Sequence, residues 1–421
     1  LLERRKPIPI GEAVKKIMEY QLQGVTEHVS INESFGRYLS EDLIATSDVP
    51  HFDRAPYDGF AVRSIDTTEA LQSNPVEFEV VDHIGAGMVS KKVIGQNQAV
   101  RIMTGAMMPG GTDAVVMFEV AQDYEKDGTP FMSIKRSFKK GDNVSFIGED
   151  AKEGEILVKK GTVINPGIQA MLATFGYNDV PVAKKPLVGL FATGTELLEV
   201  YEELVPGKIR NSNSHMIAAQ IERAGGNVHY FGKLPDEFDT CFEAVKNALN
   251  RVDLLITTGG VSVGDFDYLP AIYKKLGAEV FFNKVAMRPG SVTTVAQYNR
   301  KILFGLSGNP SACYVGFELF ARPIIRRMLF SEKPYLRREK AILEVDFLKA
   351  NPFTRFVRSS VFIKDGRLRV APSGLDKSNI IMSLSGANSL TILPGGTRGF
   401  TASSEVEVLL LEDQTGSEWP W

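Results

Sequence analysis

The sequence is poor in the features that mark several protein classes. Its 421 residues include only two cysteines, Cys241 and Cys313. Two cysteines build neither a disulfide framework nor a zinc pattern. They read as small buried apolar residues in a reducing, cytoplasmic setting. No apolar run approaches the ~20 residues that cross a bilayer, so no membrane-spanning helix is expected. The start, LLERRKPIPIGEAVKK, is too charged for a secretory signal, and its lack of methionine suggests a trimmed beginning. A net charge of -3 excludes the basic footprint of a nucleic-acid binder. Repeats and low-complexity tracts are missing too. What remains is 43% hydrophobic and 24% charged, the balance of a globular protein. At ~100–200 residues per domain, the length suggests roughly two to four domains.

The pattern changes several times along the chain. In EAVKKIMEYQ, Ala13, Val14, Ile17 and Met18 fall on one stripe at helical spacing, so residues 1–45 read as a helical N-terminal segment. Residues 46–142 hold short alternating runs (EFEVVDHI, QAVRIM, DAVVMFEVAQ, PFMSIKR) broken by Gly, Asn, Asp and Pro. That is a β-rich module. Residues 143–183 contain GEILVKKGTVI, which reads as a hairpin, and NPGIQAMLATFGY, a helix from Asn165–Pro166 to Gly176. The β-rich module therefore reads as an insertion into a domain made of 1–45 and 143–183.

From 184 to 332, the runs PLVGLFA, NVHYFG, DLLITT, AEVFFN and KILFGL alternate with amphipathic helical stretches. Such alternation predicts an α/β domain with a doubly wound parallel sheet. Residues 333–421 return to short strands, among them VFIKDGRLRVA with its Asp-Gly hairpin turn, and predict a small C-terminal β barrel. The fold class is multidomain α/β plus β.

Ligands of open parallel sheets bind at the carboxyl ends of the strands. The loops expected there are TGTEL (Thr193, Gly194, Thr195, Glu196), KLPDEFD (Asp236), GGVSVGDFD (Gly259, Gly260, Ser262, Gly264, Asp265, Asp267), KVAMRPG (Lys284, Arg288) and SGNPSA (Ser307, Gly308, Asn309). Their convergence at one rim points to a site for phosphate or another anion, since glycine loops before helices offer backbone N–H groups. Structural readings stand beside the functional ones. Asp265, Asp267 and Glu196 also suit the first turn of a helix, Asp236 a turn, and Lys284 a solvated surface. In the β-rich module, Asp58 of YDGF and Thr104–Gly105 of RIMTGAMMPGG are ordinary turn residues when read singly.

Taken in order, FDRAPYDGFAV, RIMTGAMMPGGTDAVVMFE, GEDAKEGEILVKKGT, LFATGTELL, TTGGVSVGDFDY, KVAMRPG, GLSGNPSA and GANSLTILPGG resemble the molybdopterin molybdotransferase family, whose domain also forms the C-terminal part of gephyrin. The resemblance spans nearly the whole chain. It implies insertion of molybdenum from molybdate into adenylylated molybdopterin with release of AMP, assisted by Mg²⁺. It also implies a homodimer with the site shared between protomers. Asp58 and Thr104 match positions that close the site from the partner chain. Asp236 and Asp265 match acidic metal positions, with Glu196 nearby. Lys284, Arg288 and Pro289 match the anion-binding segment, and Arg358 and Ser385 of the C-terminal domain are placed near molybdate. Departures are visible. KPGKP in many members is RPGSV here, which leaves Ser291 at the second basic position, and Ser145, Phe146 and Ile147 stand where relatives carry arginines before GED. Related readings are a molybdopterin adenylyltransferase, for which the α/β unit alone would suffice, and a non-catalytic gephyrin-like scaffold. A partner adenylyltransferase that hands over the intermediate is a further expectation.

Overall fold

The computed structural model describes residues 6–20, 22–235, 237–260, 268–412 and 416–420. The chain divides into two compact units. One comprises Leu1–Glu41, Lys159–Ala170 and Asn178–Trp421; the other comprises Asp42–Val158 and Met171–Tyr177. The excursion into the second unit is thus wider than the β-rich stretch 46–142. The cause is local pairing. Ile156–Val158 lies antiparallel to Leu43–Ile44, so the residues flanking the module belong to it. The hairpin expected in GEILVKKGTVI accordingly does not form. Periodicity marks a strand but does not choose its partner.

In the second unit, six strands order as Ala114–Met117, Gly59–Val62, Gln98–Ile102, Val76–Ile84, Thr129–Ile134 and Ala121–Lys126. Successive residues of a strand face opposite sides. Phe60 and Val62 therefore join Phe78, Val116 and Ile134 in one core, while Ala61 joins Ile84, Val100 and Val115 in another. Burial on both faces explains why GFAV is apolar throughout.

In the first unit, the N-terminal region expected to be helical holds one helix, Ile10–Glu19, followed by the strand Thr26–Ser30. That strand pairs antiparallel with Asp179–Ala183. Ala13, Val14 and Ile17 are the buried side of the helix, as their spacing predicts.

The α/β domain is a six-stranded sheet. Its strands are β1 (Leu187–Ala192), β2 (Asn227–Lys233), β3 (Leu254–Thr258), β4 (Glu279–Phe282), β5 (Thr294–Tyr298) and β6 (Lys301–Leu306). They lie in the order β2-β1-β3-β6-β5-β4. The four strands β2, β1, β3 and β6 are parallel, as expected. The edge differs, because β5 is antiparallel to both β6 and β4. Leu254 and Ile256 face the core shared with helix Ser212–Ala224 and the long helical run Pro310–Met328. Leu255 faces the core shared with helices Phe238–Leu249 and Leu269–Leu276. Burial on both faces accounts for the unbroken apolar run LLI.

The C-terminal domain closes on itself. Thr354–Lys364 pairs with Arg367–Pro372 and Ser389–Leu393. Arg337–Leu343 joins Arg367–Pro372 to Glu405–Leu410, and Glu405–Leu410 returns to Ser389–Leu393. The ring is the expected barrel. Asp365 and Gly366, with φ of 52° and 70°, form the tight turn read from KDGRL. A short pair, Met287–Arg288 with Thr354–Arg355, extends this sheet from the loop after β4.

Candidate functional site

The first strand connection runs from β1 outward to β2, and the next strand, β3, lies on the other side of β1. This reversal opens a crevice between the carboxyl ends of β1 and β3, the usual ligand position in such sheets. A cavity of about 650 Å³ lies there. Gly194, Thr195, Glu196, Gly259, Gly260, Ser307, Gly308 and Asn309 all line it, so three of the expected loops converge. Pro235, next to Asp236, lines it as well.

Backbone bonds hold the walls together. Thr193 N and Oγ1 both donate to Thr258 O, at 3.0 and 3.1 Å. Gly259 N donates to Leu306 O at 2.9 Å. The glycines are required here. Gly259 and Gly260 have φ of 86° and 67°, and a Cβ on either would stand within 2.9 Å of Thr193 Oγ1. Only a bare backbone lets the two loops approach this closely.

One contributing segment escaped the sequence reading. Lys208 Nζ donates to Thr195 O at 2.6 Å, and Asn213 Nδ2 donates to Gly308 O at 2.7 Å. Ile209 N donates to Glu196 O at 2.9 Å. The segment PGKIRNSNS thus ties the β1 and β6 loops together. Its one sequence signal was Asn211, whose side chain caps helix Ser212–Ala224 by accepting from Ser214 N.

Arg288 and Pro289 line a second cavity, of about 490 Å³, with Ser291, Arg355, Asp376 and Lys377. Asn379 borders both this cavity and a smaller one that reaches Thr193 and Glu196. Lys284 lines neither of the two larger cavities; its carbonyl accepts from Ile8 N at 3.1 Å. Arg358 differs from expectation. It is 2% exposed, bonded to Asp376 Oδ1 at 2.8 Å, to the carbonyls of Leu375 and Lys377, and to Ser383 Oγ. With its donors spent inside the domain, it braces the loop, and Arg355 takes the place facing the cavity. Ser385 is exposed, and its hydroxyl donates to Met382 O at 3.0 Å.

In the second unit, Asp58 and Thr104 come together. Asp58 Oδ1 accepts from Thr104 N at 2.6 Å and from Thr104 Oγ1 at 2.7 Å. These two bonds, backbone first, hold the Asp58 carboxyl below its ordinary pKa, with a smaller contribution from the charge of Arg101. Asp236, Ser262, Gly264, Asp265 and Asp267 lie outside the described residues. Among the described residues, no group of three or more His, Cys, Asp or Glu forms a metal cluster.

A glycine-walled crevice at the switch point of an α/β sheet, followed in the chain by a β barrel, defines a multidomain α/β protein with a crevice of small-molecule size. Comparison with known proteins makes this specific. The family description "MoeA N-terminal region (domain I and II)" matches residues 8–176. "Probable molybdopterin binding domain" matches 189–327, and "MoeA C-terminal region (domain IV)" matches 340–411. The chain is 60% identical to the molybdopterin molybdenumtransferase of Bacillus subtilis over 421 residues, which covers 100% of this chain and 98% of the relative. It is 50% identical to the protein of that name from Staphylococcus aureus (strain COL), over 99% of each chain. The crystal structure of the molybdopterin biosynthesis MoeA protein from Pyrococcus horikoshii superposes with a TM-score of 0.85 at 30% identity, covering 97% of this chain and 100% of that one. The chain belongs to the molybdopterin molybdenumtransferase family.

Proposed function

We propose that the chain inserts molybdenum from molybdate into adenylylated molybdopterin and releases AMP in a Mg²⁺-dependent reaction. The observation that carries this reading is the cavity at the β1–β3 switch point, with its two obligatory glycines and the Glu196 carboxylate on its wall. The backbone N–H groups of Gly260 and Gly308 suit the phosphates of the adenylate, and the start of the helix after Asn309 favours negative charge. Arg288 and Arg355, at the neighbouring cavity, suit the tetrahedral molybdate dianion through charge-assisted hydrogen bonds.

The larger cavity offers mainly oxygen donors, the hydroxyls of Thr193, Thr195, Tyr268 and Ser307, the Glu196 carboxylate and the Asn309 amide, beside the sulfur of Cys241. That set fits a hard cation, which takes one or two carboxylates plus substrate phosphate. Glu196 would hold Mg²⁺ together with Asp236 and Asp265, the carboxylates chosen from the sequence. When bound, the ion supplies charge neutralisation at the phosphates and polarises water. Glu196 also orients the loop, because its carboxylate folds over Gly194, where a Cβ would stand 2.5 Å from Oε2.

Asp58 and Thr104 close the site from a partner protomer in a homodimer. Their mutual bonding, far more specific than a turn needs, supports a functional role. Lys284 completes the basic set as an electrostatic contributor. Both cysteines are buried and neither forms a disulfide, which supports a reducing, cytoplasmic setting. Among the described residues, no helix is long and apolar enough to cross a membrane. The adenylate is supplied by an adenylyltransferase acting on molybdopterin. Purified chain given adenylylated molybdopterin, molybdate and Mg²⁺ should release AMP only when molybdate is present. No release from folded protein would sink the reading, and adenylate formation from molybdopterin and ATP would favour the adenylyltransferase instead.

A further inference from the structure

The segment RPGSV holds one basic residue, Arg288, and places Ser291 three positions on. The structure surrounds that serine with cations from another domain. Ser291 shares the 490 Å³ cavity with Arg288, Arg355 and Lys377. Arg288 and Arg355 are register partners in neighbouring strands. Like charges placed so repel unless something offsets them. The one carboxylate in the cavity wall is Asp376, and it is already shared. Its Oδ2 lies 2.6 Å from Arg355 Nη1 and 4.0 Å from Lys349 Nζ, while its Oδ1 lies 2.8 Å from Arg358 Nη1. Among the described residues, the side chains of Arg288 and Lys377 form neither a hydrogen bond nor an ion pair. Among the described residues, the cavity lining therefore carries an excess of positive charge over the single carboxylate of Asp376.

The backbone presenting Lys377 is fixed. Its N–H donates to Leu375 O at 3.1 Å, and its carbonyl accepts from Arg358 Nη2 at 3.2 Å. The next residue, Ser378, accepts from Ser311 N at 3.0 Å, and Ser311 Oγ donates to Ile380 O at 2.5 Å. The loop is thus fastened to the barrel by Arg358 and to the α/β domain by Ser311. An exposed lysine on a fastened loop has a defined reach, unlike one on a free surface.

We propose that Lys377, reaching from the C-terminal domain, supplies the second cation of the oxyanion subsite beside Arg288. Arg288 and Lys377 touch the tetrahedral oxyanion, and Asp376 is a positioning residue that sets the loop between Arg355 and Arg358. The proposal rests on the reading of this cavity as the molybdate subsite, and it deepens that reading.

The test is calorimetric titration of molybdate into the full chain without the pterin substrate, at fixed ionic strength. Lys377→Met should weaken binding by roughly ten- to a hundredfold, the size of one charge-assisted hydrogen bond. Ser291→Lys in the Lys377→Met background should regain most of that loss, and Lys15→Met should change nothing. Lys377 is exposed, so the variant should keep the wild-type circular dichroism. If Arg288→Met weakens binding and Lys377→Met does not, the proposal is overturned while the subsite stands. A Lys377→Met loss that Ser291→Lys fails to recover overturns the placement of Lys377 in this cavity. If the wild type itself binds no molybdate, both the proposal and the subsite reading fall.

Discussion

Asp58 takes two hydrogen bonds from a single residue, Thr104, on one carboxylate oxygen, at 2.6 Å from the backbone N–H and 2.7 Å from the hydroxyl. The pair joins two loops that are distant in sequence and unremarkable when read alone. Both bonds favour the ionised carboxylate, so the folded-state pKa lies below the ordinary one. The stabilisation is therefore present above the ordinary value and is lost as pH falls through the lowered one. Thr104→Val removes the hydroxyl bond and keeps the backbone bond. The Asp58 titration midpoint, followed by carboxyl-carbon NMR, should rise part of the way toward its ordinary value. An unmoved midpoint would show that the hydroxyl bond does not form in solution.

Gly259→Ala tests the closeness of the β1 and β3 loops. A Cβ at this position would lie 2.6 Å from Thr193 Oγ1 and 2.9 Å from Thr193 O, on a backbone with φ of 86°. The expected cost is about 1–3 kcal/mol of stability, with loss of most of the activity. Urea denaturation and AMP release measure the two effects. A variant as stable and active as wild type would mean that the loops stand further apart.

Lys208 reaches the site only through the Thr195 carbonyl. Lys208→Met should lower kcat/KM by roughly fivefold, the value of one ordinary hydrogen bond. Glutamine, which keeps a donor, should recover part of the loss. Equal activity in all three proteins would remove Lys208 from the site.

Away from the site, Glu318 is a fully buried carboxylate beside two arginines. Its side chain is 0% exposed, paired with Arg223, accepting from Gln220 Nε2 at 2.6 Å, and 3.8 Å from Arg322 Nε. Glu318→Ala would remove the carboxylate that faces both guanidinium groups, at a cost of about 3 kcal/mol. The denaturant midpoint should fall with an unchanged slope. A shift under 1 kcal/mol (well below the ~3 expected of a buried pair) would mean that water reaches the network.

Regular alternation of strand and helix made the α/β domain legible, because both faces of its sheet are covered and each strand is an apolar run. TGTEL, GGVSVGDFD and SGNPSA could be placed at one rim for the same reason. The edge was harder. Thr294–Tyr298 follows RPGSV closely, and nothing local distinguishes a strand returning antiparallel from a loop. Lys208 and Asn213 act through bonds to carbonyls, which leave no trace in residue type. Arg358 and Arg355 both sit on the strand Thr354–Lys364 and both pair with Asp376, so residue type alone does not tell which one lines the cavity.

The central claim is that the adenylate binds at the β1–β3 switch point. A crystal structure of the chain with adenylylated molybdopterin tests it most directly. The account predicts phosphate density against Gly259, Gly260 and Gly308, with the Glu196 carboxylate beside it. Density for the phosphates elsewhere, with this crevice left to solvent, would contradict it.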